Sequence, residues 1–276
     1  MPTQSDLADR LRALHVPGRP LLLPNAWDVA SARLVEQAGY PAVATTSAGV
    51  AWSLGFPDGE LISRYEMLAV IERVTRAVRV PVTADLEAGY GPTPRDAADT
   101  ARGAVNAGAV GFNFEDSTSD ETHRLLDAAA QAERVAAARA AADATGVRLV
   151  INARTDVFLL GVGAPETRLE ETVRRLAAYR DAGADCLFAP GVTDRDTIAA
   201  LVRELHAPVN VLAAPASPTV ADLAALGVAR ISLGGGVMRV ALARTRDLLR
   251  DLLASGNLGA IMGAGMTHAE LQKLMA

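Results

Sequence analysis

An α/β fold, a single closed parallel (β/α)8 barrel of the TIM type, is what this sequence predicts, and three observations predict it. Eight short apolar runs rich in β-formers alternate with amphipathic or alanine-rich stretches along the chain. Four helical stretches end in the same chemistry, Gln37-Ala38-Gly39, Asn106-Ala107-Gly108, Asp181-Ala182-Gly183 and Ala225-Leu226-Gly227, where the glycine can take a left-handed cap before the next strand. Polar residues recur where successive strands end, the face on which such barrels carry their sites. A doubly wound open sheet is the rival, but its Gly-rich dinucleotide fingerprint and later ribose-binding acid are missing. A chain of 276 residues, half of them hydrophobic, can bury one large core, so residues 1–276 are read as a single barrel domain.

The elements follow in order. A helix over 3–14 precedes a strand over 21–25 that ends at Asn25, and a helix over 28–38 comes next. The second strand, 42–46, delivers Ser47, Ala48 and Gly49, and Asp58 follows in the loop before a helix over 64–78. The third strand, 80–85, closes on Asp85-Leu86-Glu87-Ala88-Gly89-Tyr90-Gly91. Residues two apart on a strand point the same way, so Asp85 and Glu87 converge while Leu86 turns away. Two carboxylates forced together repel unless a proton or cation lies between them, and oxygen-only ligands suit a hard ion such as Mg²⁺.

After a helix over 94–107, the strand 110–114 runs into Glu115-Asp116, and a helix over 122–144 leads to the strand 149–153 and Arg154, an anion clamp. The remaining units are a helix over 166–181, a strand over 186–189, a helix over 194–205, a strand over 209–213 carrying Asn210, a helix over 219–226, a strand over 230–233 and a helix over 236–255. Cys186 begins its strand and reads as a small buried apolar residue. Gly234-Gly235-Gly236 could cradle a phosphate, though packing is the stronger reading. Thr267, three residues before Glu270, reads as the capping box of a last helix, a C-terminal extension.

Composition narrows the partners. A net charge of −5 and the lack of any Lys/Arg block argue against a nucleic-acid surface, leaving small metabolites. One cysteine forms no internal disulfide, and neither a signal pattern nor a membrane-length apolar run is visible, which points to the cytoplasm and away from membranes. Lys273, near the chain end, is the sole lysine, so a Schiff-base aldolase is excluded.

Leu23-Pro24-Asn25-Ala26-Trp27-Asp28, Thr46-Ser47-Ala48-Gly49, Ser53-Leu54-Gly55-Phe56-Pro57-Asp58, the Asp85 to Gly91 motif, Phe114-Glu115-Asp116 and Ala153-Arg154-Thr155-Asp156 together resemble the isocitrate lyase/phosphoenolpyruvate mutase superfamily, in order and spacing, over nearly the whole chain. The resemblance implies Mg²⁺, with Mn²⁺ as a possible substitute, held by Asp85, Glu87 and Glu115 largely through waters, with Asp58 ordering that shell. It implies that Ser47 and the amides of Ala48 and Gly49 hold the substrate carboxylate, with Asp85, Asn25 and Asn210 in the substrate pocket and Arg154 on its other anionic group. It also implies an eighth helix exchanged between subunits, in a dimer or a tetramer of swapped dimers.

Departures shift the expected chemistry. Lyases of the family carry Lys-Lys-Cys-Gly-His after the Glu-Asp strand, whereas this chain has Ser117-Thr118-Ser119-Asp120-Glu121-Thr122-His123-Arg124, with neither cysteine nor lysine. His123 is the imidazole near this gate and a candidate proton carrier. Leu187-Phe188-Ala189-Pro190 stands where the lyases place a glutamate, so a smaller or less charged 2-oxo acid is expected. The reading is therefore an enzyme acting on a small 2-oxo acid through a metal-stabilised enolate, by C–C cleavage or decarboxylation. C–P chemistry of the mutase or hydrolase kind is the alternative, and a binding barrel with little catalysis is a third.

Overall fold

A computed structural model describes residues 2–118, 124–263 and 265–276. Its strands, all parallel, are β1 (Leu21–Leu23), β2 (Asn25–Ala26), β3 (Val43–Thr45), β4 (Val82–Asp85), β5 (Gly111–Glu115), β6 (Val150–Arg154), β7 (Cys186–Phe188), β8 (Val209–Leu212) and β9 (Arg230–Ser232). The first two are halves of one stave interrupted at Pro24, which has no N–H to give to a ladder. Leu21–Leu23 pair with β9, and Asn25–Ala26 pair with β3, so the interrupted stave closes eight strands into a barrel.

The helices are α1 (Gln4–Ala13), α2 (Val29–Gln37), α3 (Ser47–Ser53), α4 (Arg64–Ala77), α5 (Pro94–Asn106), α6 (Ala128–Asp143), α7 (Arg168–Asp181), α8 (Arg195–Leu205), α9 (Val220–Ala225), α10 (Gly236–Ser255), α11 (Gly259–Met262) and α12 (His268–Met275). Capping boxes start α1, α2, α4, α5, α9 and α12, the last on Thr267 and Glu270 as the spacing predicts. The four repeated exits hold their glycines at positive φ, from 83° at Gly108 to 110° at Gly183.

Two boundaries differ from expectation. The helix expected over 122–144 starts at Ala128: Ser117 and Leu125 form a bridge, Leu126 N–H donates to the Asp116 carbonyl, and the Asp127 carboxylate caps the helix at Ala129 and Ala130. The loop after β3 is the short helix α3, capped by Thr46.

Helix α1 closes the floor of the barrel. Leu11 is wholly buried, and a Cβ at Gly111 would stand 2.9 Å from its Cδ2, so the strand needs glycine where the plug enters. At the other end of the chain, α10 buries only Met238 and leaves Val240, Leu249 and Leu253 exposed, while α12 returns to α2, where Arg33 Nη1 donates to the Leu274 carbonyl at 2.7 Å. No described helix is long and apolar enough to cross a membrane.

Candidate active site

Parallel register sets Asp85 beside Asn113 and Glu115 beside Arg154, and the two-residue alternation sends all four into the barrel. Asp85 is buried and held on both oxygens. Its Oδ2 accepts from the Ser47 N–H and hydroxyl, each at 3.0 Å, and its Oδ1 accepts from Asn113 Nδ2 at 3.1 Å. The predicted carboxylate cradle at Ser47 is thus engaged with the predicted metal ligand. Gly49 admits no side chain, since a Cβ there would lie 2.6 Å from Thr46 Cγ2 and 3.0 Å from Trp27 Cβ.

Glu87 reaches the site by a different route from the one expected. The strand stops at Asp85, and Glu87 turns inward because it adopts φ 51°, not through the pleat. Its Oε2 accepts from the backbone N–H of Glu60 at 2.7 Å, and Tyr90 lies 3.5 Å from Oε1. Glu60 in turn accepts from the Tyr90 N–H at 2.8 Å. Glu60 and Tyr90 also hold positive φ, at 57° and 58°. Three non-glycine residues in this region mark a backbone bent to place side chains. Burial first, then the charges of Asp85 and Asp58, push the Glu87 carboxyl up to about 8. Asp58 is likewise raised, by desolvation and by Asp85, against a hydrogen bond from Ser47 and the pull of Arg154.

Glu115 pairs with Arg154 Nη1 at 2.6 Å and accepts from the Ser117 hydroxyl at 2.7 Å. Burial pushes its carboxyl up against the pull of that arginine. Arg154 also grips Asp156 through Nε at 2.6 Å and Nη2 at 2.9 Å, and lies over the Phe188 ring. Its charge is therefore already met by two carboxylates, leaving two of its five N–H groups for an incoming anion. Among the described residues no three Asp, Glu, His or Cys side chains converge closely enough to hold an ion directly. Asp85, Glu87 and Glu115 are neighbours, not a ready cage: Arg154 draws Glu115 away and the Glu60 amide holds Glu87.

Two predicted substrate contacts are bonded to the barrel's own groups. Asn25 accepts from Leu233 and Gly234 N–H at 2.9 and 2.8 Å and donates to the Thr45 carbonyl at 2.7 Å, so it fastens the barrel seam at the interrupted stave. That bond also occupies the Gly234 amide of the glycine triplet, and Gly235 packs on Trp52. Asn210 is fully buried against Ser232, because β8 continues to Leu212 and it is Leu212 that stands nearer the mouth. His123 lies outside the described residues. Cys186 is buried, its thiol pushed up to about 12 by desolvation, and is no nucleophile.

The mouth opens on a cavity of about 370 Å³ lined by Glu60, Glu87, Glu115, Ser117, Leu126 and Arg134. Sequence reasoning missed Glu60, Ser117 and Arg134. Arg134 stacks on Phe114 and ties the Ala88 and Gly91 carbonyls of the acidic turn, the last at 2.8 Å. Nothing short of its place on the inner face of α6 would have marked it.

The family model described as phosphoenolpyruvate phosphomutase matches residues 11–253. A solved chain from Burkholderia cenocepacia J2315, provisionally described as a lyase/mutase, superposes with a TM-score of 0.91 at 41% identity, covering 99% of this chain and 96% of that one. The 2-methylisocitrate lyase of Salmonella typhimurium is 34% identical over 66% of this chain and 65% of its own. A phosphonopyruvate hydrolase solved with oxalate and Mg²⁺ is 27% identical, with a TM-score of 0.86 and coverage of 97% and 94%. With the match running from the floor helix through α10, this chain belongs to the isocitrate lyase/phosphoenolpyruvate mutase superfamily.

Proposed function

We propose that this protein is a Mg²⁺-dependent enzyme acting on a small 2-oxo carboxylic acid by C–C bond cleavage or decarboxylation. The carrying observation is the cavity of about 370 Å³ with Glu87 and Glu115 in its wall and Asp85 and Asp58 close enough to raise Glu87 by their charge. An excess of buried carboxylates is the donor chemistry a hard dication resolves. Asp85 and Glu87 would hold it, with Glu115 and Asp58 acting through waters, in keeping with an ion that retains part of its hydration. When bound, Mg²⁺ supplies a Lewis acid for the enolate oxygen.

The protein's own groups do the remainder. At the start of helix α3 the Ser47 N–H is held by Asp85 and the Gly49 N–H by Thr46, which leaves the Ala48 N–H for a substrate carboxylate. Arg154, fixed by Glu115 and Asp156, offers its two remaining N–H groups to a second polar group. The Phe188 ring beneath Arg154 sets apolar surface beside that group, which favours a short acid over a tricarboxylate.

Turnover of oxaloacetate, 2-methylmalate-type acids, isocitrate and phosphonopyruvate, with and without Mg²⁺, tests this. Metal-dependent turnover of a short acid and none of isocitrate is the expected result. Phosphonopyruvate consumed in preference, by ³¹P NMR, moves the reading to C–P chemistry. Calorimetric binding without product from any acid reduces it to a binding barrel. We further propose a homo-oligomer in which α10 is covered by a second copy, with Val240, Leu249 and Leu253 as the covered face; elution at 28.7 kDa would remove it.

A further inference from the structure

The floor of the barrel holds a charge that the proposed chemistry does not use. Arg230, on β9 beside Leu21 and Asn210, points into the barrel and is completely buried. Among the described residues no carboxylate is bonded to it. Its Nη2 donates to Asn113 Oδ1 at 3.1 Å, its Nε lies 3.4 Å from the Ser232 hydroxyl, and its Nη1 has no hydrogen-bond partner among the described residues. A buried, incompletely satisfied guanidinium is a poor stabiliser, and an apolar residue of similar volume commonly serves better. Burial lowers its pKa from the ordinary value, against the pull of the Cys186 thiol and then of Asp85, which is the carboxylate among them.

We infer that Arg230 is a positioning residue for Asp85, acting by fixing the direction of the Asn113 amide that holds that carboxylate. The inference rests on the proposed role of Asp85 in metal binding. Three bonds define the relay: Arg230 Nη2 to Asn113 Oδ1, Asn152 Nδ2 to the same oxygen at 2.7 Å, and Asn113 Nδ2 to Asp85 Oδ1 at 3.1 Å.

An amide can turn over, exchanging donor for acceptor, and two facing amides can turn together. A guanidinium cannot, because it has donors only. Arg230 therefore dictates that Asn113 shows it oxygen and shows Asp85 its NH₂. Turned the other way, Asn113 would set NH₂ against a guanidinium and oxygen against a carboxylate. With Oδ2 filled by Ser47 and one position of Oδ1 filled by Asn113, Asp85 keeps its remaining Oδ1 lone pair for a cation. Groups that orient a metal ligand in this way commonly change affinity or activity about 10–100-fold when lost.

Arg230→Lys, which keeps a donor-only group, Arg230→Gln, whose amide can turn, and Arg230→Met test the relay. Mn²⁺ dissociation constants are read by electron paramagnetic resonance, and the Asn113 side-chain NH₂ signals by ¹⁵N NMR without metal. Arg230→Gln and Arg230→Met are expected to weaken Mn²⁺ binding about tenfold or more and to shift or broaden the Asn113 signals, while Arg230→Lys restores most of both. Folded Gln and Met variants with wild-type affinity and unchanged Asn113 signals overturn the inference, even if turnover falls. If Arg230→Met does not melt cooperatively, the Gln and Lys pair decides. A wild-type protein that binds no Mn²⁺ removes the proposed function instead, and the Asn113 signals still report whether Arg230 sets that amide.

Discussion

The two halves of the barrel handle charge in opposite ways. Strands β4 to β6 bring Asp85, Glu115 and Arg154 to the mouth and hold each with polar partners. Strands β7 and β8 end in Phe188 and Leu212, and β9 buries Arg230 near the floor. One half concentrates ionised groups at the strand ends; the other ends its strands in apolar side chains and contributes its charge from beneath. The difference teaches that the chemistry depends on both halves, joined through the amides of Asn113 and Asn152.

Substituting Asp85 is the sharpest way to break that contrast. In Asp85→Asn the geometry is nearly kept, but Ser47 N–H and Asn113 Nδ2 now meet a side chain with a donor of its own. Loss of the anionic ligand is expected to lower turnover about 10³-fold, with the fold intact by circular dichroism. A variant with more than about a tenth of wild-type turnover would mean that the acidic half is structural.

Behind the acidic half stands Asp116, fully buried, whose carboxylate accepts from Tyr179 at 2.7 Å, Thr155 at 2.7 Å, the Asp156 amide at 3.1 Å and Arg175 at 3.2 Å. Through Thr155 and Asp156 it fixes the loop that holds Arg154. Asp116→Ala leaves Arg175 with Glu171 as its acidic partner and is expected to destabilise the fold by about 3 kcal/mol. Urea denaturation at constant m-value measures it, and a loss below about 1 kcal/mol would remove Asp116 from the frame of the acidic half.

How much of this was readable in advance follows the same division. Strand ends were legible, because a run of apolar residues closing on Asp85, Glu115 or Arg154 marks its own terminus and the barrel says which face that is. The floor was not. Parallel strands buried on both sides read as continuous apolar runs, so nothing in Arg230-Ile231-Ser232 tells an inward arginine from a solvated one. The bonds of Asn25 and Asn210 were hidden for a related reason: their position on a strand was visible, but their depth, and the seam at Pro24, depend on register. Glu60 was hidden because a left-handed loop residue gives no periodic signal.

Acidity at the mouth offers the mildest test. Glu87 titrates near 8 in the metal-free protein, above its ordinary value near 4.5, chiefly through burial and then through Asp85 and Asp58. Between those two values the folded state binds more protons than the unfolded one, so this group's contribution to stability is complete below about 4.5 and is lost as pH rises through about 8. The metal-free melting temperature should therefore fall between pH 6 and about 8.5, and added Mn²⁺ should recover it. Mn²⁺ must also displace the Glu87 proton, so its affinity should rise by up to about tenfold per pH unit below 8 and level off above it. Glu87→Gln should flatten both profiles. If the affinity of the wild type is independent of pH over this range, Glu87 takes no part in holding the ion.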